Sequence, residues 1–472
     1  MIHNRGAHQA GNEFCMELGK DTKPLNGGVR KGSNAHPELS LEFISPHDLK
    51  LDPNNPRIHA AKQIRQIGES IERLGFNVPV QADSEGTVVA GHGRVLAARE
   101  LGMPLIPVIR LEHLTRAQLR AFAIADNKLT ENAEWNPCLL GEQLKALSEV
   151  GLDFNVEVTG FEMSEIDMLI EGLQPATKNG ADPADELLDS DATVPVSKSG
   201  DLWLVGAHRV LCGNCLDARS YSALMEDRRA SMVFTDPPST AIDGHTIGLG
   251  AIHSRDLQMA SGEMNEAEFT DFLARAFKLL ALHAVDGSLH FAFIDWRHLP
   301  EILAAGKQIY TELKAVCVWV KDNGGMGSLY RSQHELVLVF KSGKASHLNN
   351  VQLGQFGRTR TNVWKYPGVN PLSRLTGEAN LPQLHPSAKP VALVADAIMD
   401  CSARGDIILD PFCGSGTTMI AAERTGRTCY GMEIDPVYVD TIVRRWQRFT
   451  GLSARHAISG KSFDELEKEQ AQ

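Results

Sequence analysis

Two short stretches of the sequence combine residue types that could hold a small ligand and act beside it. In the first, the apolar run Ile407-Ile408-Leu409 leads into Asp410-Pro411-Phe412-Cys413-Gly414-Ser415-Gly416-Thr417-Thr418, and a helical pattern follows. Glycines at a strand-to-helix turn let backbone approach a ligand closely, and the helix N-terminus offers unpaired N–H groups. The next strand-like run ends at Glu433, where a carboxylate can accept hydrogen bonds from both hydroxyls of a ribose. No lysine follows Gly416, as a phosphate-gripping loop requires, and the third glycine of a dinucleotide fingerprint is replaced by Met419. A nucleoside cofactor without phosphates fits better. An ordinary glycine turn in a βα unit is the competing reading of this motif taken alone.

The second stretch is Thr235-Asp236-Pro237-Pro238-Ser239, directly after the apolar run Ser231–Phe234. Two prolines restrict the backbone, so the Asp236 carboxylate and a neighbouring carbonyl could both leave the strand's carboxyl end. Two acceptors there can hold both hydrogens of an aromatic amino group. In isolation, Asp-Pro-Pro reads by default as a turn.

Such residues act together only if strands deliver them to one edge. Apolar runs at 231–235, 288–294, 315–320, 335–340 and 406–410 alternate with amphipathic stretches such as Glu268–Ala284. That alternation predicts an α/β fold with a doubly wound sheet, whose ligands bind beyond the carboxyl ends of the strands. We expect this domain over 201–455, with a tail at 456–472. An acidic stretch at 173–200 with few large apolar side chains reads as a linker, and 135–172 as a helical extension. A smaller α/β unit is predicted over 38–134, after a leader at 1–37 without apolar periodicity.

Composition sets outer limits. The 472 residues suffice for two or three domains, and 43% hydrophobic with 22% charged residues excludes a disordered chain or a rod. The net charge of −12 means that polyanion binding needs a local patch. Eight scattered cysteines suit a reducing cytoplasm, and the apolar runs are too short for a membrane span. The expectation is a cytoplasmic protein with no membrane partner. Cys212-Gly213-Asn214-Cys215 lacks a second ligand pair, so no metal site is expected and a solvent-facing turn is favoured.

The motifs of 200–455, Asp-Pro-Pro before the glycine loop, resemble the N6-adenine/N4-cytosine DNA methyltransferases. His385-Pro386-Ser387-Ala388-Lys389-Pro390 is similar to the family's element that closes over the cofactor, and Trp319–Gly343 to its target-base pocket segment. The resemblance implies a Rossmann-like domain that binds S-adenosylmethionine through Asp410, Phe412, Gly414, Gly416, Thr417, Glu433 and Lys389. It implies catalysis at Asp236, Pro237, Pro238 and Ser239 on an exocyclic amine, N6 of adenine before N4 of cytosine. The family usually has an aromatic residue where Ser239 stands, and a lost base stack is worth about 1–3 kcal/mol. A DNA-binding regulator with a weakened pocket is therefore the rival reading, and an RNA base or a glutamine side chain the rival substrates.

Asn55-Pro56-Arg57 together with Gly91-His92-Gly93-Arg94 resembles the ParB-like domain of partition proteins. Glycine freedom, a helix start and an arginine in one turn make an anion site, and the resemblance implies a nucleotide there. A helix cap with Arg94 paired internally is the alternative. Residues 341–450 carry more Lys and Arg than Asp and Glu, and contacts to double-stranded DNA are expected at Arg358, Arg360 and Lys365. A homodimer is the open expectation for assembly.

Overall fold

The computed structural model describes residues 39–150, 152, 154–173, 182–186, 194–238, 264–322, 324, 329–368 and 389–470. The chain divides into two compact units, Met1–Pro175 and Ala176–Gln472. The leader and Ser239 lie outside the described residues, as do His385–Ala388.

The first unit is built on a four-stranded sheet of order β1-β4-β2-β3, from Leu41–Ile44 (β1), Val80–Ala82 (β2), Val88–Ala90 (β3) and Ile106–Arg110 (β4). Its helices are Ala61–Leu74 (α1), His92–Glu100 (α2), Arg116–Glu131 (α3), Pro137–Glu149 (α4) and Met163–Glu171 (α5). Alternation along β2 and β3 sends Val80, Ala82 and Val88 into one small core with Val95 and Val108. Ile64, Ile71 and Ala97, at helical spacing, join α1 to α2 in a second cluster. Thr115 closes the start of α3 with a reciprocal bond to Gln118, the geometry of a capping box.

The second unit is a ten-stranded mixed sheet of order β11-β9-β10-β8-β7-β12-β13-β6-β5-β14. Its strands are Leu202–Val205 (β5), His208–Cys212 (β6), Ala230–Thr235 (β7), Ala284–Ile294 (β8), Glu312–Val320 (β9), His334–Lys341 (β10), Val363–Lys365 (β11), Ile407–Asp410 (β12), Thr428–Glu433 (β13) and Arg455–His456 (β14). The helices are Ala218–Met225 (α6), Glu266–Leu282 (α7), Leu299–Ile309 (α8), Val391–Cys401 (α9), Thr417–Thr425 (α10), Pro436–Thr450 (α11) and Phe463–Gln470 (α12). The central strands β8-β7-β12-β13-β6 are parallel, with apolar layers on both faces, as the doubly wound reading predicts. Strand order reverses between β7 and β12, which pair with Met232 against Ile408 and Val233 against Leu409. That is the switch point of the sheet.

The structure departs from the expected boundaries in two places. Of the acidic stretch, residues 182–186 and 194–200 are described, and they dock on the second unit: Ala184, Val196 and Ser197 are buried, and Asp182 and Glu186 pair with Arg424 and Arg448. Ion pairs together with Ala184 and Val196 in the main apolar core hold this segment. The expected tail likewise contains α12, whose fully buried Phe463 packs on Trp203. No helix among the described residues is long and apolar enough to cross a membrane.

Candidate active site

The β7–β12 register brings both chemical motifs to one carboxyl edge. The glycine loop leaves β12 through Asp410, buried at 4% exposure, whose carboxyl accepts from Thr418 Oγ1 at 2.6 Å and from the Phe412 amide at 3.1 Å. Burial pushes the Asp410 carboxyl up to about 7, and the facing charge of Asp236 adds to the shift. Gly416 begins α10 at φ +83°, and an added Cβ there would sit 3.1 Å from Ile442. Glycine is therefore required for both conformation and space.

Glu433, at the end of β13, faces that loop. Its Oε2 accepts from the Gly414 amide at 2.9 Å, and its Oε1 from the Ile434 and Asp435 amides at 2.8 and 3.1 Å. Beneath the loop, buried Arg445 donates to the Ser415 carbonyl at 3.0 Å, to Thr417 Oγ1 at 3.2 Å and to the Ala184 carbonyl at 2.8 Å. Burial lowers this guanidinium to about 10. Thr418 and Arg445 were not anticipated; an arginine in an amphipathic helix carries no signal that it will turn inward.

On the other side of the switch point stands Asp236, half-buried, followed by buried Pro237. Its Oδ2 accepts from Lys389 Nζ at 2.5 Å. The sequence assigned Lys389 to the cofactor half-site; the structure places its ammonium between Asp236 and Glu335, 3.1 Å from Glu335 Oε2. The ammonium also lies over the rings of Phe293 and Trp319, 5.0 and 5.8 Å from their centroids. Burial alone would lower the lysine's proton affinity, but the two carboxylates outweigh it and raise it well above the ordinary value. Glu335 also accepts from Lys321 at 2.5 Å. Glu335 and Lys321 sit where apolar strands meet the carboxyl edge.

The expected DNA contacts are corrected in part. Arg358 is 7% exposed and bonded to Asp400 Oδ1 at 2.8 Å and Asp396 Oδ1 at 3.0 Å, while Arg360 reaches the second oxygens of both at 3.1 Å. These guanidinium groups are committed to carboxylates of α9. Trp364, 4% exposed, stacks on Phe291, and the half-buried Tyr366 bonds Asp396 through its hydroxyl. Only Lys365 of the expected trio is exposed. Cys212 and Cys215 are buried rather than solvent-facing, and burial pushes the Cys212 thiol up to about 12. Among the described residues no cluster of three or more His, Cys, Asp or Glu side chains is arranged for a metal ion.

In the first unit, a cavity of about 510 Å³ is lined by Asn55, Arg57, Gly91, His92, Gly93 and Arg94, so the residues singled out there do meet. Gly91 has φ +98°, and an added Cβ would lie 3.0 Å from Arg94 Nη2. Arg94 Nε is buried without a hydrogen-bond partner, and burial lowers the guanidinium's proton affinity. Arg57 donates to Asn127 at 2.8 Å across the cavity.

A family profile described as DNA methylase matches residues 230–444, and one described as the ParB-methyltransferase HTH domain matches 139–199. The second spans α4, α5 and most of the stretch expected to be a linker. The type II methyltransferase M2.MboI of Moraxella bovis is 27% identical over 253 residues, 50% of this chain and 87% of the relative. The ParB-like nuclease domain-containing protein YnaK of Escherichia coli (strain K12) is 42% identical over 81 residues, 17% of this chain and 93% of YnaK. Among solved structures, the M1.HpyAVI–SAM complex aligns with a TM-score of 0.35 at 19% identity, over 50% of this chain and 98% of that one.

Proposed function

The chain belongs to the N6/N4 family of DNA methyltransferases and carries an N-terminal ParB-like domain, and from that premise we propose that it methylates N6 of adenine in double-stranded DNA, using S-adenosylmethionine. The observation that carries this reading is the β7–β12 register, which sets an amine acceptor, Asp236, beside a glycine loop backed by Glu433. The donor set suits the cofactor. The Glu433 carboxylate would repel phosphates, whereas it favours a sulfonium, and at the end of β13 it stands where a ribose hydroxyl could donate to it. When bound, S-adenosylmethionine supplies a methyl group already activated on sulfur.

The remaining task is alignment. Asp236 accepts one amino hydrogen and a carbonyl of the Pro237-Pro238 turn the other, so the nitrogen lone pair is drawn out of ring conjugation toward the methyl group. The base must first leave the helix stack, at a cost of a few kcal/mol. Adenine is preferred over cytosine because Asp, rather than Ser or Asn, precedes Pro237-Pro238, which is support from resemblance. Ser239 in place of an aromatic side chain favours slow turnover. We place the methyltransferase domain at 182–470, since the docked segments on either side of 201–455 share its core. The Arg57–Arg94 cavity we assign to a nucleotide.

Asp236→Ala tests the reading. Single-turnover transfer of a tritiated methyl group to duplex DNA is expected to fall by about a hundredfold or more, as when one oriented polar group is removed from a transition state. Calorimetric binding of S-adenosylmethionine stays within about threefold. Unchanged transfer would overturn the assignment.

A further inference from the structure

Glu335 touches neither the glycine loop nor, in the reading above, the target amine, yet it is held with unusual care for a glutamate at the end of an apolar strand. It is the second residue of β10, opposite Trp319 of β9, and takes Lys321 on one oxygen and Lys389 on the other. Lys389 in turn bonds Asp236. The result is an alternating row, Lys321–Glu335–Lys389–Asp236, with both lysines over the Trp319 ring. The charges balance in pairs. Asp410, facing Asp236 from β12, is a further ionisable neighbour at this edge.

In this row Lys389 is divided between two carboxylates and Glu335 between two ammonium groups. Lys389 keeps Asp236 ionised, hence acceptor-only, but an undivided ammonium would hold that carboxylate as a tight pair and make it a poor acceptor for an incoming amine. We propose that Glu335 is a positioning residue for methyl transfer: by drawing Lys389 partly away from Asp236, it leaves Asp236 able to accept the amino hydrogen, and Lys321 sets how strongly Glu335 can draw. The proposal rests on Asp236 being the amine acceptor.

The prediction has a sign that a purely structural role lacks. Glu335→Gln gives Lys389 wholly to Asp236, so the Asp236 carboxyl becomes more acidic. The acid limb of the single-turnover rate moves down by about one pH unit, and the plateau rate falls about tenfold, with KM for DNA little changed. Lys321→Met, at a position 28% exposed, returns Glu335 wholly to Lys389 and moves the limb upward. Glu335→Asp restores part of the lost rate.

The test is the rate–pH profile of the full-length wild type and three variants, together with the carbon-13 titration of the Asp236 carboxyl, which needs no turnover. Opposite displacements in Glu335→Gln and Lys321→Met support the proposal. Identical midpoints and rates in folded, cofactor-binding variants overturn it. If Glu335→Gln does not fold, the upward shift in Lys321→Met decides alone. If the wild type transfers no methyl group, the functional reading fails, and the carbon-13 midpoints still decide the coupling.

Discussion

Two clusters of buried cations and carboxylates lie in the same domain and differ in one respect. Around α9, Arg358 and Arg360 meet Asp396 and Asp400 in a closed set, with Tyr366 sealing one side. At the carboxyl edge, Lys389 joins Glu335 to Asp236, and the set stays open because Asp236 is 31% exposed. Closed, such a cluster fixes local structure. Open at a switch point, it presents a charged acceptor whose strength the buried partners set.

The closed cluster offers the largest effect. Arg358→Ala leaves Asp396 and Asp400 short of a buried partner, and breaking such a pair costs about 3–5 kcal/mol. Urea denaturation should show that loss. If Arg358 were a phosphate contact instead, stability would hold and the salt dependence of DNA binding would weaken.

At the open edge the expected effects are smaller and functional. Glu433→Ala removes the acceptor for the ribose and for the Gly414 amide, so S-adenosylmethionine binding should weaken by about 1.5–3 kcal/mol, with calorimetry as the measure. Equal affinity in both proteins would remove Glu433 from the cofactor site.

Asp410 gives the clearest pH signature. Its carboxyl is raised to about 7 in the folded chain, so between its unfolded value near 4 and 7 the folded state holds a proton that the unfolded state has lost. That contribution is present at low pH and is lost as pH rises through about 7. Asp410→Asn, which still accepts from Thr418 and the Phe412 amide, should flatten this fall when unfolding is followed at pH 5 and pH 8. A slope unchanged from wild type would show that Asp410 titrates normally.

The parts legible from sequence were those whose meaning is local. Glycine spacing, the Asp-Pro-Pro turn and the apolar period located Gly416, Asp236 and the strands carrying them. Which charges turn inward was not legible, because it depends on partners far along the chain: Arg358 finds Asp400, Lys389 finds Asp236, and Arg445 finds Ser415. An Arg-rich segment with aromatics looks the same whether it faces phosphate or carboxylate. The docked segment 182–186 was missed for the same reason, since its acids pair with arginines of α10 and α11.

The central claim, methyl transfer to an exocyclic amine at the β7–β12 edge, is tested most directly by nucleoside mass spectrometry of duplex DNA of varied sequence incubated with the full-length protein and S-adenosylmethionine. The account predicts N6-methyladenine from the wild type and none above background from Asp236→Ala. The absence of any methylated base from a folded, cofactor-binding wild type would contradict it.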